Sequence, residues 1–457
     1  MAIVMFGNLI LHPSPATVQD RYTMINLYSF RRTLINEKEY RILNAIAIKK
    51  PGSPLTIEEQ RLMSELFKTR QILTTETKQN YDTRRQQLLL ERLNEISPLI
   101  NNISITPSFA CNFACTYCYQ RSFKHKEQIM KKEDIDQIIQ YIEFINGGKD
   151  YRESIKAVSF NGGEITLERN IEVIDYVLRK FEGNEREFYL LTNGSKLANF
   201  NKIIDLSLFS KIQISLDGEE IIIPSVNKVD GNIFDIIIES IHLASKASPI
   251  VEVACMITRD LINNFDIFFT RLKQEGILNL PNVIIKLAYI SDFTKGEIDD
   301  RFLSIKELAD FSKEFRRKEY DQFIIMNPLF ETRHLIKALY SKDNKNLFFN
   351  EFSCGLIDRR TLMFTPDKSV HWCICADQSN EPIGHYDNPQ NKDISKIRSL
   401  LHRNVHEMPD CKCCDYKYIC TGGCPLYSLT QNNDLSGAYC GMLKNRAFIE
   451  QLEDYLW

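Results

Sequence analysis

The 457-residue chain has no uninterrupted apolar stretch approaching the roughly 20 residues that a membrane-spanning helix needs. It has no surplus of positive charge either. The formal net charge is −3, which argues against a protein whose main work is coating nucleic acid. The opening Met1-Ala2-Ile3-Val4-Met5-Phe6 lacks a basic flank and is soon followed by Pro13 and Pro15, so no targeting sequence is expected there. No repeat of fixed period and no low-complexity tract stands out. These absences lead to the expectation of a soluble, cytoplasmic protein that engages neither membrane nor nucleic acid. The length exceeds what one hydrophobic core usually serves, so two or three domains are expected.

Thirteen cysteines are present, an odd number in a chain too large to need covalent staples, and in a reducing cytosol clustered cysteines more often bind metal. Their placement is uneven: none in the first hundred residues, three in 111–118, one at 255, and nine between 354 and 440. Strand-like patterns at 21–28 and 33–36 are followed by helical spacing at Leu43, Ile46 and Ala47. A further helix is expected from Thr56, with Glu59 completing a capping box and Ile57, Leu62, Leu66 and Ile72 continuing the apolar pattern. Residues 76–100 read as a connecting helix. From 101 to about 290, strands expected at 103–106, 157–160, 188–192, 211–216, 251–258 and 283–288 alternate with helical patterns such as Ile135, Ile138, Ile139 and Ile142. This is an α/β layout, and its six strands predict an incomplete (β/α)6 barrel of TIM type with its chemistry at the carboxyl ends of the strands.

The first of those strands runs into Cys111-x3-Cys115-x2-Cys118, with Tyr117 directly before the third cysteine. Three thiolates on one loop can hold three irons of a 4Fe–4S cube and leave the fourth iron open, whereas a structural zinc site wants four protein ligands. The motif resembles the hallmark of the radical S-adenosylmethionine (SAM) superfamily, in which the open iron is chelated by SAM. Three later segments extend the resemblance in order: Gly162-Gly163-Glu164, Leu190-Leu191-Thr192-Asn193-Gly194 and Ser215-Leu216-Asp217-Gly218. The likeness implies that Tyr117 lies by the adenine, that Glu164 after the paired glycines meets the SAM ammonium, and that Thr192, Asn193, Ser215 and Asp217 belong to segments contacting the methionine carboxylate and the ribose. Relatives often continue into Pro, His and Arg, where this chain has Glu219-Glu220-Ile221-Ile222-Ile223-Pro224.

Cys354, Cys373, Cys411, Cys414, Cys420, Cys424 and Cys440 resemble the SPASM extension of radical SAM enzymes that modify peptides. That likeness implies two auxiliary 4Fe–4S clusters, the first served by Cys354, Cys373 and Cys424, the second by Cys411, Cys414, Cys420 and Cys440; zinc knuckles are the alternative for such C-x2-C pairs. The family usually has glycine five residues before the second of these cysteines, and Lys368 stands there, so the hairpin is expected to turn differently. Three further cysteines lie outside the set. Cys255 reads as a buried hydrophobe or a hydrogen donor, Cys375 as a ligand or hydrogen donor, and Cys413 as a bystander.

The expected organisation is a winged-helix-like α+β domain over 1–80 resembling a RiPP recognition element, a linker helix at 81–100, the radical SAM core at 101–290, a helical bridge at 291–353 and the SPASM extension at 354–457. The resemblance implies three 4Fe–4S clusters, SAM, a ribosomally synthesised precursor peptide as substrate and an electron donor of flavodoxin or ferredoxin type. The leading expectation is oxidative C–S or C–C crosslinking of the peptide. Epimerisation through Cys375 or Cys255 is one alternative. Sulfatase-type maturation is another, disfavoured by Ile374 where relatives carry an acidic residue, and a non-enzymatic zinc-stabilised peptide-binding protein is the last.

Overall fold

The computed structural model describes residues 4–6, 9–13, 21–26, 32–47, 54–68, 75–94, 98–115, 117–118, 120, 127–183, 186–217, 233–289, 303, 307, 310–311, 314–315, 317–326, 354, 360–373, 382–412, 414, 417, 421–434 and 437–440. Among them no helix is long and apolar enough to cross a membrane.

The chain opens with an antiparallel sheet of four strands in sequential order, β1 (Val4–Phe6), β2 (Leu9–Pro13), β3 (Arg21–Asn26) and β4 (Arg32–Asn36). The first two strands were not foreseen, because their apolar residues run continuously over three to five positions without the alternation that marks a half-buried strand. Helices α1 (Glu37–Ala47) and α2 (Ile57–Lys68) follow, and Met24, Ile35, Tyr40, Leu43, Leu62 and Leu66 form the small core. The capping box closes α2 as expected: the Thr56 amide donates to Glu59 at 2.6 Å and the Glu59 amide donates to the Thr56 hydroxyl at 3.3 Å. Ile57 departs from the apolar pattern and is 86% exposed, since the first residue after the cap points away from Leu62 and Leu66. Ile72 lies outside the described residues. Helix α3 (Thr75–Asn94) leads into the barrel.

The barrel strands fall where alternation places them: β5 (Asn102–Ile105), β6 (Ala157–Phe160), β7 (Glu187–Thr192), β8 (Lys211–Ser215), β9 (Val251–Ile257) and β10 (Val283–Tyr289). Each pairs in parallel with the next, the arrangement of a partial (β/α)6 barrel. The sheet extends at both edges, with β11 (Ile324–Met326) parallel to β10 and β12 (Thr361–Phe364) parallel to β5, followed by antiparallel β13 (Ser369–His371) and β14 (Gly384–His385). The C-terminal region is thereby built onto the first barrel strand.

The two sheet faces differ in chemistry. Ile103, Val158, Phe188, Leu190, Ile212, Val253 and Ile285 lie on one face and are buried in the main core with α4 (Lys132–Ile145), α5 (Ile171–Lys180) and α6 (Ile233–Ala247). Ser104, Ser159, Gln213, Ser215, Ala254 and Lys286 alternate with them and point to the opposite, inner face. Leu191, Met256 and Ile284 share that face, so the concavity is lined by polar and apolar residues together.

The hairpin between β12 and β13 corrects one expectation. Lys368 adopts φ +67°, so the turn takes the left-handed shape that glycine would give, and takes it with a lysine. The Asp367 carboxylate supports it, accepting from the Thr365 hydroxyl at 2.5 Å and the Ser369 amide at 3.3 Å.

Candidate metal and cofactor site

All four motif loops leave the carboxyl ends of consecutive strands β5 to β8. The loop carrying Cys111, Cys115 and Cys118 is seated on the turn after β6 by backbone pairing: the Gly163 amide donates to the Ser108 carbonyl at 3.1 Å and the Glu164 amide to the Ala110 carbonyl at 2.7 Å. Glycine is required on the facing side. A Cβ at Gly163 would overlap the Ala110 carbonyl, and one at Gly162, whose φ is +146°, would stand 2.7 Å from the Ser108 oxygen.

Glu164 is buried and surrounded by donors. One oxygen accepts from the Thr166 amide at 2.9 Å, the Thr166 hydroxyl and the Thr192 hydroxyl at 2.5 Å, while the other accepts from the Asn193 amide at 2.7 Å. Burial raises its carboxyl pKa despite these bonds, which pull it down. The site therefore favours a cation near Glu164, which would restore the charged form. Asn193 joins the strand-7 loop to the cysteine loop, donating to the Asn112 side-chain oxygen at 3.1 Å and reaching the Cys111 sulfur at 3.8 Å. Asn112 donates in turn to the Ser195 hydroxyl at 2.8 Å. Asn112 and Ser195 escaped the sequence reading, although Asn112 stands inside the cysteine motif as a polar residue in a loop.

On the other side of the motif the Tyr117 hydroxyl donates to the Asp217 carboxylate, whose second oxygen accepts from the Met256 amide at 2.9 Å. Burial and then the Asp217 charge raise the Tyr117 pKa, so it stays a neutral donor. Ser215 ends β8, half-buried on the inner face beside Ala254.

Burial, helped by the charge of Glu164, pushes the thiol of Cys111 up to about 11, and burial, helped by the charge of Asp217, pushes that of Cys115 up to about 12. Such thiols stay protonated in water and ionise on binding metal. Among the described residues no three His, Cys, Asp or Glu side chains converge as they would around a single ion. A cube makes a different demand, with one thiolate for each of three irons, so the three-cysteine loop suits a cluster better than zinc.

In the C-terminal region, Cys424 lies near Cys373 and Cys354, and Cys411 lies near Cys414 and Cys440. Burial first, then those neighbours, push the thiols of Cys424 and Cys411 each up to about 12. Between the two sets Thr421, Gly422 and Gly423 all take left-handed φ and bring the chain against Tyr439, whose amide donates to the Gly422 carbonyl at 3.0 Å. The buried Arg403 guanidinium staples this crossing, donating to the carbonyls of Gly423 at 3.3 Å, Gly422 at 3.2 Å and Gly437 at 2.7 Å. Helix α3 packs on the same region, where Asp82 pairs with the buried Lys417 at 2.7 Å and Gln86 donates to Glu407 at 3.2 Å.

Cys255 lies fully buried on the helix-covered face of β9 with Val253 and Ile257, while Ala254 and Met256 face inward. That orientation removes it from the concavity where a hydrogen donor would act. Cys375, Cys413 and Cys420 lie outside the described residues, as do Gly218, Ile374 and residues 219–224.

A parallel partial barrel with four loops converging at its carboxyl end around a three-cysteine loop is the architecture of a cofactor-dependent enzyme. Residues 105–262 match the Radical SAM superfamily, which is a class of enzymes. That superfamily implies SAM and a 4Fe–4S cluster as cofactors of the matched segment. In sequence the chain is 24% identical over 213 residues to a probable GTP 3′,8-cyclase of Pyrococcus abyssi, a match spanning 46% of this chain and 65% of that protein. It is 24% identical over 265 residues to the GTP 3′,8-cyclase of Staphylococcus saprophyticus, spanning 54% of this chain and 70% of that one. In structure it is similar to anSMEcpe with bound AdoMet, at TM-score 0.55 and 18% identity over 78% of this chain and 97% of that one. It is also similar to Streptococcus suis SuiB bound to S-adenosylmethionine, at TM-score 0.53 and 14% identity over 96% of this chain and 98% of that one.

Proposed function

We propose that the protein matures a ribosomally synthesised peptide by forming an oxidative C–S or C–C crosslink, using SAM and three 4Fe–4S clusters. The observation that carries this reading is the gathering of two further cysteine sets, Cys354/Cys373/Cys424 and Cys411/Cys414/Cys440, in a region joined to the first barrel strand. Cys420 completes the second set. In this reading Cys111, Cys115 and Cys118 hold the SAM-binding cluster, Glu164 receives the SAM ammonium, and Tyr117, Gly162, Gly163, Thr192, Asn193, Ser215 and Asp217 shape the SAM pocket. On one-electron reduction bound SAM supplies methionine and a 5′-deoxyadenosyl radical, and the protein's task is to hold a substrate C–H bond beside it and exclude water. The N-terminal sheet and helices serve as a leader-peptide recognition domain, the precursor adding along a strand edge. An electron donor of flavodoxin or ferredoxin type completes the system.

The likeness to SuiB, which spans 96% of this chain, supports the peptide reading, since SuiB is also known bound to its precursor peptide SuiA. The cyclase relatives favour a second reading, cyclisation of a purine nucleotide, but they match only about half of this chain. Incubating the reconstituted protein with SAM and dithionite, once with a candidate precursor peptide and once with GTP, separates the two. A peptide lighter by two hydrogens supports the first; consumption of GTP with the peptide unchanged supports the second.

A further inference from the structure

One charge cluster on the inner face of the barrel belongs to none of the motif loops. Glu252, on β9, receives two lysines on the same carboxylate oxygen, Lys211 of β8 at 2.7 Å and Lys286 of β10 at 2.5 Å. Glu252 is nearly buried, with a side chain 11% exposed, whereas the lysines keep 32% and 27%. Burial raises the Glu252 carboxyl, but the bonds and charges of Lys211 and Lys286 outweigh it and leave the pKa below the usual carboxylate value. Two cations thus share one anion. The next carboxylate along this face, Glu187, is already engaged by the Tyr189 hydroxyl.

Ion pairs between neighbouring strands are often only structural, and one lysine would satisfy Glu252. The second adds a charge that the strands do not need, on the face that closes around a substrate. Its position is informative. Lys286 pairs in register with Ala254, which pairs with Ser215, so its Cα stands two strands from the residue that ends β8 at the cofactor site, about 10 Å away at the usual strand spacing. Lysine's flexible four-carbon stem lets its ammonium swing from Glu252 toward the concavity, and Lys211 remains to neutralise Glu252 when it does. Ile284, two residues before Lys286 on the same face, is 37% exposed and gives this wall an apolar part beside the cation.

We propose that Lys286 forms a subsite for a carboxylate of the substrate peptide, an Asp or Glu side chain or the C-terminal carboxylate, with Glu252 as the partner it leaves and Lys211 as the cation that then neutralises Glu252. The proposal rests on the peptide reading above and adds a chemical class to it: the segment held in the barrel carries an acidic group next to apolar residues. A partly desolvated pair of this kind favours the acidic over the amide side chain by roughly fivefold.

The test uses the full-length, cluster-reconstituted protein with SAM and two blocked pentapeptides, acetyl-Ala-Leu-Glu-Leu-Ala-amide and its Gln counterpart, with affinities measured by saturation-transfer NMR. Wild type should bind the Glu peptide roughly fivefold more tightly. Lys286→Gln should bring the ratio to about one, and Glu252→Gln, which removes the competing carboxylate, should raise it above wild type. Opposite movements from two neighbouring substitutions are not what misfolding gives. A C-terminally free peptide with Gln inside distinguishes a terminal from a side-chain carboxylate. Equal affinity of wild type for both blocked peptides, binding of neither, or a preference that survives Lys286→Gln overturns the subsite. Formation of deoxyadenosine with no peptide ever modified overturns the peptide reading instead, and does so whatever the binding ratio.

Discussion

The α-carbon of Gly163 lies directly over the carbonyl of Ala110, so closely that no side chain fits between the turn after β6 and the loop that carries the three cysteines. Gly163→Ala forces the two backbones apart and breaks the bonds from Gly163 to Ser108 and from Glu164 to Ala110. The expected result is loss of about four irons per chain and of SAM cleavage, with helix content by circular dichroism unchanged. Iron analysis beside the circular dichroism spectrum checks it.

Arg403 should matter in a different way. Its guanidinium holds the carbonyls of Gly422, Gly423 and Gly437 where the two C-terminal cysteine sets cross. Arg403→Met leaves those buried oxygens without the fork, at a cost on the order of 3 kcal/mol. Between four and eight irons per chain, by rough count, should be lost while SAM cleavage by the barrel persists. Full iron content in the variant would contradict the assignment of this region to auxiliary clusters.

Lys368 offers a substitution in the stabilising direction. Its φ of +67° is a conformation that costs a residue bearing a Cβ about 1 kcal/mol, and its ion pair with Asp387 at 3.3 Å is half-exposed and worth little. Lys368→Gly relieves the backbone and gives back part of the gain to unfolded-chain entropy. A net stabilisation of about 0.5 kcal/mol is expected, read as a higher melting temperature.

His406 sets an acid limit. Burial first, then the positive charge of Lys417, lowers its pKa from 6.5 to about 4, against the opposing pull of Asp82 and Glu407. The unfolded chain then binds the extra proton across that window, so the stability this site contributes is full above pH 6.5 and is lost as pH falls toward 4. The loss amounts to about 3 kcal/mol. His406→Gln should flatten that part of the melting temperature–pH profile. An unchanged profile would contradict the burial argument.

The six barrel strands were legible because alternating apolar residues and intervening helical periodicity both pointed the same way, as at Ile212 and Ile214 on β8. The cysteine loop and the loops after β6, β7 and β8 were legible as local motifs. What the sequence did not disclose was tertiary. Nothing local says that Thr192 bonds Glu164, that Arg403 binds three carbonyls from two distant segments, or that Asp82 on α3 meets Lys417 across 335 positions. The turn at Lys368 was misjudged for the opposite reason. Residue preference argued for another shape, while the pairing of β12 with β13 and the support from Asp367 impose the left-handed one.

The central claim is that Cys111, Cys115 and Cys118 hold a cluster that cleaves SAM. It is tested most directly by purifying the protein without oxygen, counting iron and sulfide, and assaying 5′-deoxyadenosine after dithionite reduction with SAM, for wild type and for the Cys111→Ala/Cys115→Ala/Cys118→Ala variant. The account predicts about twelve irons per wild-type chain, about eight in the variant, and deoxyadenosine from wild type alone. Zinc in place of iron, or deoxyadenosine formation undiminished in the variant, would contradict it.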